Sequence, residues 1–110
     1  MKTQFDVFQF DFPDKGPHPV VLISHPDICE RTNYVNALLC TSQRQSRRIK
    51  DHEVLLNGAD GLDWETFCSC ATFYLLDASK LFGHRGRVSL ERRREIRTKV
   101  RDIFRLMETD

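Results

Sequence analysis

Before residue 83 every apolar segment of this chain is short, and each ends at proline, glycine or a cluster of polar residues. That pattern suits strands joined by turns and leaves little room for long helices. Phe5 to Phe12 alternates unevenly between apolar and polar positions with several aromatic residues, as a strand packed on one face would, and stops at Pro13. Asp14 to Pro19 holds one glycine and two prolines and predicts a loop. Val20-Val21-Leu22-Ile23-Ser24 is a continuous apolar run, so a central strand buried on both sides is expected there. Pro26 to Arg31 predicts a single helical turn, because proline is tolerated at the first helical position.

A third strand over Val35 to Cys40 delivers Thr41, Ser42 and Gln43 to its end, and Arg44 to Lys50 reads as a basic polar loop. His52 to Asn57 gives a fourth strand, closed by the turn Gly58-Ala59-Asp60-Gly61. Thr66 to Leu76, rich in β-branched, aromatic and cysteine residues, is long enough for a bent or bulged strand that closes a small barrel. A short helical turn is expected from Asp77 to Leu81, and Gly83 with Gly86 are expected to break the chain.

The period then changes. Ser89 is placed to cap a helix with Glu91 in its first turn, and Ile96, Val100, Ile103, Phe104 and Met107 fall on one stripe. A C-terminal amphipathic helix over about residues 89–107 is the result. Short strands followed by one such helix predict an all-β barrel or a small α+β domain.

With 110 residues, 40% of them hydrophobic and 30% charged, the chain has material for one modest core, so a single domain spanning residues 1–110 is expected. No apolar run approaches the roughly 20 residues that span a bilayer, and the N-terminus leads into an alternating segment rather than a signal-peptide core. A soluble, cytoplasmic protein without membrane contact follows as the expectation. Cys68 and Cys70 share one strand face, and neither they nor His52 and His84 show zinc-site spacing. Four reduced, unreactive thiols and no metal or cofactor are therefore predicted.

Charge is uneven although the formal net charge is only +1. Residues 85–105 carry nine basic and three acidic side chains, which suits a polyanionic ligand or an acidic partner peptide.

Several motifs, in order, resemble the PemK/MazF family of toxins from type II toxin-antitoxin pairs. His18-Pro19-Val20-Val21-Leu22-Ile23-Ser24 is similar to the family's Arg-Pro followed by an apolar strand ending in serine. Leu38-Leu39-Cys40-Thr41-Ser42 resembles its strand ending in Thr-Ser, and Gly61-Leu62 precedes a strand running to Asp77. Gly86-Arg87-Val88-Ser89 with Glu91 resembles its Gly-x-Leu-Ser-x-Glu helix start. The likeness covers roughly residues 7–107 and implies an SH3-like antiparallel barrel of five to seven strands with short helical turns and one C-terminal helix. It implies metal-free endoribonuclease activity on single-stranded RNA, a homodimer, and a cognate antitoxin whose flexible acidic tail covers the groove.

Carried onto this chain, the family's facing arginine and threonine become His18 and Thr41. Cleavage without metal needs a base for the 2′-hydroxyl, an acid for the leaving oxygen and donors for the charged phosphorane. An imidazole, with an ordinary pKa near 6.5, suits either proton-transfer role. Ser42 and Gln43 can bind phosphate or a base edge, and Arg44, Arg47, Arg48 and Lys50 can hold the RNA backbone. Arg93, Arg97, Arg101 and Arg105 form an i+4 row that reads as a solvated face, and either this row or the 44–50 loop can receive the acidic tail. Trp64, Phe67 and Phe73 offer faces on which unpaired bases can stack, but at strand-like spacing in a small barrel they are expected in the core. A second reading stays open, because histidine replaces the family's arginine at residue 18, and Ser69, Cys70 and Ala71 replace charged residues that some members carry. It is a non-catalytic module of the same fold, either a gyrase-type inhibitor of a protein target or a decayed relative acting by binding.

Overall fold

Val20, Val21 and Leu22 are fully shut off from solvent because the strand they end has a neighbour on each side. The computed structural model describes residues 2–42 and 47–108. Strands β1 (Asp6–Phe12), β2 (Gly16–Leu22), β3 (Tyr34–Ser42), β4 (Glu53–Leu56), β5 (Thr66–Asp77) and β6 (Phe82–Arg87) form one antiparallel sheet in the order β4-β5-β3-β2-β1-β6. The sheet curls into a half-barrel, as expected for this pattern of short strands. Helix α1 (Pro26–Arg31) joins β2 to β3, and α2 (Leu90–Phe104) follows β6.

Both faces of the sheet are covered. Val21, Leu38, Cys40, Cys68 and Ile96 belong to one buried cluster, and Val20, Leu22, Val35 and Ala37 to another. Alternation along β2 and β3 sends successive side chains to opposite clusters, which explains why the apolar runs there are continuous. Burying one such leucine or valine contributes about 1.5–3 kcal/mol.

The half-barrel is drawn together at the turn after β4. Asp60 is fully buried, and its carboxylate accepts from Asn57 N (2.9 Å) and from Ser89 N (2.7 Å), tying the end of β4 to the start of α2. Beside it Gly61 adopts φ +89° and lies against the backbone of Arg85 and Gly86 in β6. Only a residue without a side chain fits there.

Four expectations need correcting. The predicted loop over residues 14–19 shrinks to a turn at Asp14 and Lys15, and β2 resumes at Gly16. Proline is tolerated in this strand because β3 pairs with β2 only at Val20, Val21 and Leu22, so the edge of β2 that carries Pro17 and Pro19 needs no N–H on that side. Gly83 and Gly86 do not break the chain: both lie inside β6, which pairs with β1 across a register shift between Val7 and Gln9. Their positive φ values of 59° and 141° let the strand kink and continue.

Ser89 occupies the cap position of α2, but its side chain makes no capping bond; its backbone N–H is the group that is satisfied, by Asp60. Finally, the helix stripe packs for only part of its length. Ile96 is buried and Val100 lies against the same core, whereas Phe104 reaches only the ring of Phe73 (centroids 4.7 Å apart) and Met107, past the helix end, is 79% exposed. The helix packs on β4 and β5 and then outruns them.

Candidate active-site cleft

Where β2 and β3 stop pairing, a cleft opens. Their last paired residues are Val20 and Leu39, so His18 and Pro17 of β2 and Thr41 and Ser42 of β3 lie just beyond the end of the ladder. Prolines 17 and 19 cannot donate to β3, and β3 itself shifts register against β5 between Leu38 and Cys40. The ladder therefore ends and the strand ends part, leaving polar side chains in the gap.

Lys15, His18, Thr41 and Ser42 line this gap together with Pro17 and Pro19, around a cavity of about 400 Å³. Thus the two residues assigned catalytic roles in the sequence, and the neighbouring Ser42, come to one place. His18 Nδ1 lies 3.2 Å from the carbonyl oxygen of Gly16. A carbonyl can only accept, so in the neutral ring that contact selects the tautomer with its proton on Nδ1 and its lone pair on Nε2. The His18 ring is otherwise steadied edge-on by Phe12, 6.2 Å between centroids.

Lys15 was not singled out in the sequence, where it sat among turn residues. Its ammonium lies over the rings of Phe12 (5.9 Å) and Tyr74 (5.6 Å) and 3.5 Å from Asp14. Contact with the Tyr74 hydroxyl, with Asp14 behind it, raises its pKa and keeps it charged beside the cleft.

Pro17, Pro19 and Ser42 also line a second, smaller cavity of about 190 Å³, completed by Gln9, Leu62, Asp63, Trp64, Thr66 and Arg85. Trp64 was expected in the core and is instead 56% exposed, its indole N–H donating to Ser42 Oγ at 3.0 Å. The flanking charges, Asp63 and Glu65, are the sequence signal for a surface position. Phe67 is buried as expected, while Phe73 is partly exposed against Phe104.

Among the residues assigned to RNA binding, Gln43 and Arg44 lie outside the described residues. Arg47 forms a bidentate pair with Glu53, at 2.9 Å and 2.8 Å, and its guanidinium sits 4.1 Å from the Phe67 ring centroid. Arg48 and Lys50 are exposed next to it, and none of these three lines either cavity.

Glu53 is 6% exposed, and the Arg47 guanidinium holds its carboxyl below the usual range, helped by the backbone N–H of Lys50. A depressed carboxyl adds stability above the unfolded value of about 4.3 and loses it as pH falls through the folded value. Glu53→Gln should therefore lower the melting temperature at pH 7, and that deficit should shrink as the pH is lowered through the depressed value of the folded carboxyl. A deficit constant over that range, read by calorimetry, would rule the pair out as a source of acid sensitivity.

The thiols are structural. Cys68 is pushed up chiefly by its hydrogen bond with Cys40, Cys70 by Cys68 and burial, so neither supplies a thiolate at neutral pH. On the far side of the sheet, Arg97 and Arg101 border an apolar cavity of about 500 Å³ with Phe5, Ile23, Phe73 and Val100.

The fold as a whole is shared with known proteins. The family model described as PemK-like, MazF-like toxin of type II toxin-antitoxin system matches residues 3–104. No curated protein matches the chain. Among solved structures, an endoribonuclease in complex with its cognate antitoxin from a Mycobacterial species superposes with a TM-score of 0.83 at 19% identity, covering 99% of this chain and 100% of that one. The Mycobacterium tuberculosis toxin MazF-mt6 gives 0.78 at 15% identity, covering 93% and 98%. A MazE–MazF complex from Deinococcus radiodurans gives 0.78 at 16% identity, covering 96% and 98%. At such identities the likeness is one of fold.

Proposed function

This chain belongs to the family of PemK-like, MazF-like toxins of type II toxin-antitoxin systems, and we propose that it acts, as one toxin domain, as a metal-independent endoribonuclease on single-stranded RNA. The observation that carries this reading is the meeting of His18 and Thr41 in one cleft, at the point where β2 and β3 part. With Nδ1 committed to Gly16, Nε2 of His18 takes the proton of a 2′-hydroxyl as that oxygen attacks the adjacent phosphorus. The imidazolium so formed returns the proton to the departing 5′-oxygen. One P–O bond replaces another, giving a 2′,3′-cyclic phosphate and a 5′-hydroxyl.

Charge that builds on the non-bridging oxygens meets three donors: the hydroxyls of Thr41 and Ser42 and the ammonium of Lys15. Ser42 Oγ accepts from Trp64, which leaves its own O–H to donate. The partners follow from the same reading: a second copy of the chain, and a cognate antitoxin with a flexible acidic tail. Arg97 and Arg101 beside the apolar cavity under α2 give such a tail both charge and apolar surface.

The test is incubation of the purified chain with a long single-stranded RNA in excess chelator, with end-group analysis of the products. Cleavage leaving cyclic phosphates, and its arrest by stoichiometric antitoxin, is the expected outcome. Intact RNA would move the chain to a binding role.

A further inference from the structure

The smaller cavity beside the cleft has the size, the walls and the donor pattern of a site for one nucleobase. At about 190 Å³ it is too small for a folded partner, and it shares Pro17, Pro19 and Ser42 with the lining of the His18 cleft. A nucleotide whose phosphate lies at His18 and Thr41 can therefore place its own or its neighbour's base there. One wall is the Trp64 indole, 56% exposed and held by its bond to Ser42. The Thr66 hydroxyl fixes the same residue from behind, donating to the Trp64 carbonyl at 3.1 Å. A rigid aromatic face that is left open beside a phosphate site is what base stacking requires.

The polar wall is more selective. Arg85 Nε donates to the carbonyl of Gly61 at 3.3 Å, and its terminal nitrogen pairs with Asp63, whose carboxylate is still 66% exposed. Carboxylate oxygens only accept, and guanine is the base whose Watson–Crick edge offers two adjacent donors, N1–H and the 2-amino group. Adenine and cytosine set an acceptor beside their donor, and uracil flanks its one donor with acceptors, so each brings a lone pair against Asp63. The guanidinium beside the carboxylate supplies the complementary donor for guanine O6.

Resting on the ribonuclease reading for the identity of the polymer, we infer that Trp64, Asp63 and Arg85 form a guanine-specific pocket next to the scissile phosphate. Trp64 is the only tryptophan in the chain, so its fluorescence reports this pocket alone. The experiment titrates the full chain with 2′-deoxy pentanucleotides of uridine carrying one central guanine, adenine, cytosine or hypoxanthine. These lack the attacking hydroxyl and cannot be cleaved. The guanine probe should quench Trp64 and bind roughly tenfold or more tighter than the adenine and cytosine probes. The hypoxanthine probe, which lacks the 2-amino group, should fall between them.

Asp63→Asn, an exposed change that leaves the core untouched, should bring all four probes to within a few-fold of each other. Equal quenching by all probes, or a guanine preference that survives both Asp63→Asn and loss of the 2-amino group, overturns the pocket. Guanine-dependent quenching in a chain that leaves RNA intact upholds the pocket and removes only the ribonuclease reading. RNA cleavage without guanine-dependent quenching does the reverse.

Discussion

His18→Ala is expected to lower the rate of RNA cleavage by roughly 10²–10⁴-fold, the usual contribution of a positioned general base. Thr41→Ala should cost on the order of 10²-fold, as loss of one donor to developing charge does. Neither change threatens the fold. Both side chains are only partly buried, His18 at the stretch of β2 that β3 no longer pairs with and Thr41 at the end of β3. Melting temperatures should stay near that of the unaltered chain, so the rate loss reads chemistry. Because the two residues act on the same transition state, the double variant should fall well short of the product of the single losses. Initial rates in chelator, on one RNA at fixed concentration, decide it. A His18→Ala variant that cleaves at the unaltered rate removes histidine from the mechanism and leaves Lys15 as the cation to examine next.

The parts of this fold that could be read in the sequence are those where burial dictates residue type over several positions. Val20 to Leu22, the run ending in Thr41 and Ser42, and the helix stripe through Ile96 and Val100 all show their period because the packing repeats. Strand β6 was hidden because its pairing with β1 relies on backbone at Gly83 and Gly86, whose positive φ values look like a break. The start of β2 was hidden for the opposite reason. Its prolines usually argue against a strand, and they are tolerated only because β3 has already turned away.

That departure of β3 also makes the cleft. No local pattern announces that His18 and Thr41 line one cleft; it takes the end of the β2–β3 ladder at Val20. Resemblance to the toxin family pointed to both residues without that geometry. It did not point to Lys15, Trp64, Asp63 or Arg85, which reach the two cavities from turns, a loop and a strand read as a break.

Three glycine-to-alanine changes should separate steric from conformational cost at the closure of the half-barrel. Gly58 has open space around it and an ordinary φ, so Gly58→Ala should be neutral or stabilise by about 0.4–1 kcal/mol through the unfolded chain. Gly16 also has open space but φ +76°, so alanine there meets backbone strain alone, about 1–2 kcal/mol. Gly61 combines φ +89° with a would-be Cβ only 2.3 Å from the Arg85 carbonyl oxygen. That oxygen is backbone within a paired strand and has no rotamer to escape into. Relief must come from moving β6 off the turn, which strains the bond from Ser89 N to the buried Asp60 and pulls at the start of α2. Gly61→Ala should therefore cost at least about 3 kcal/mol, a large share of the 5–15 kcal/mol that a domain of this size holds. Urea unfolding of the three variants gives the order directly. If Gly61→Ala proves no worse than Gly16→Ala, then β6 yields freely, and the half-barrel is closed by the apolar contacts of Val88 and Ile96 rather than by the turn.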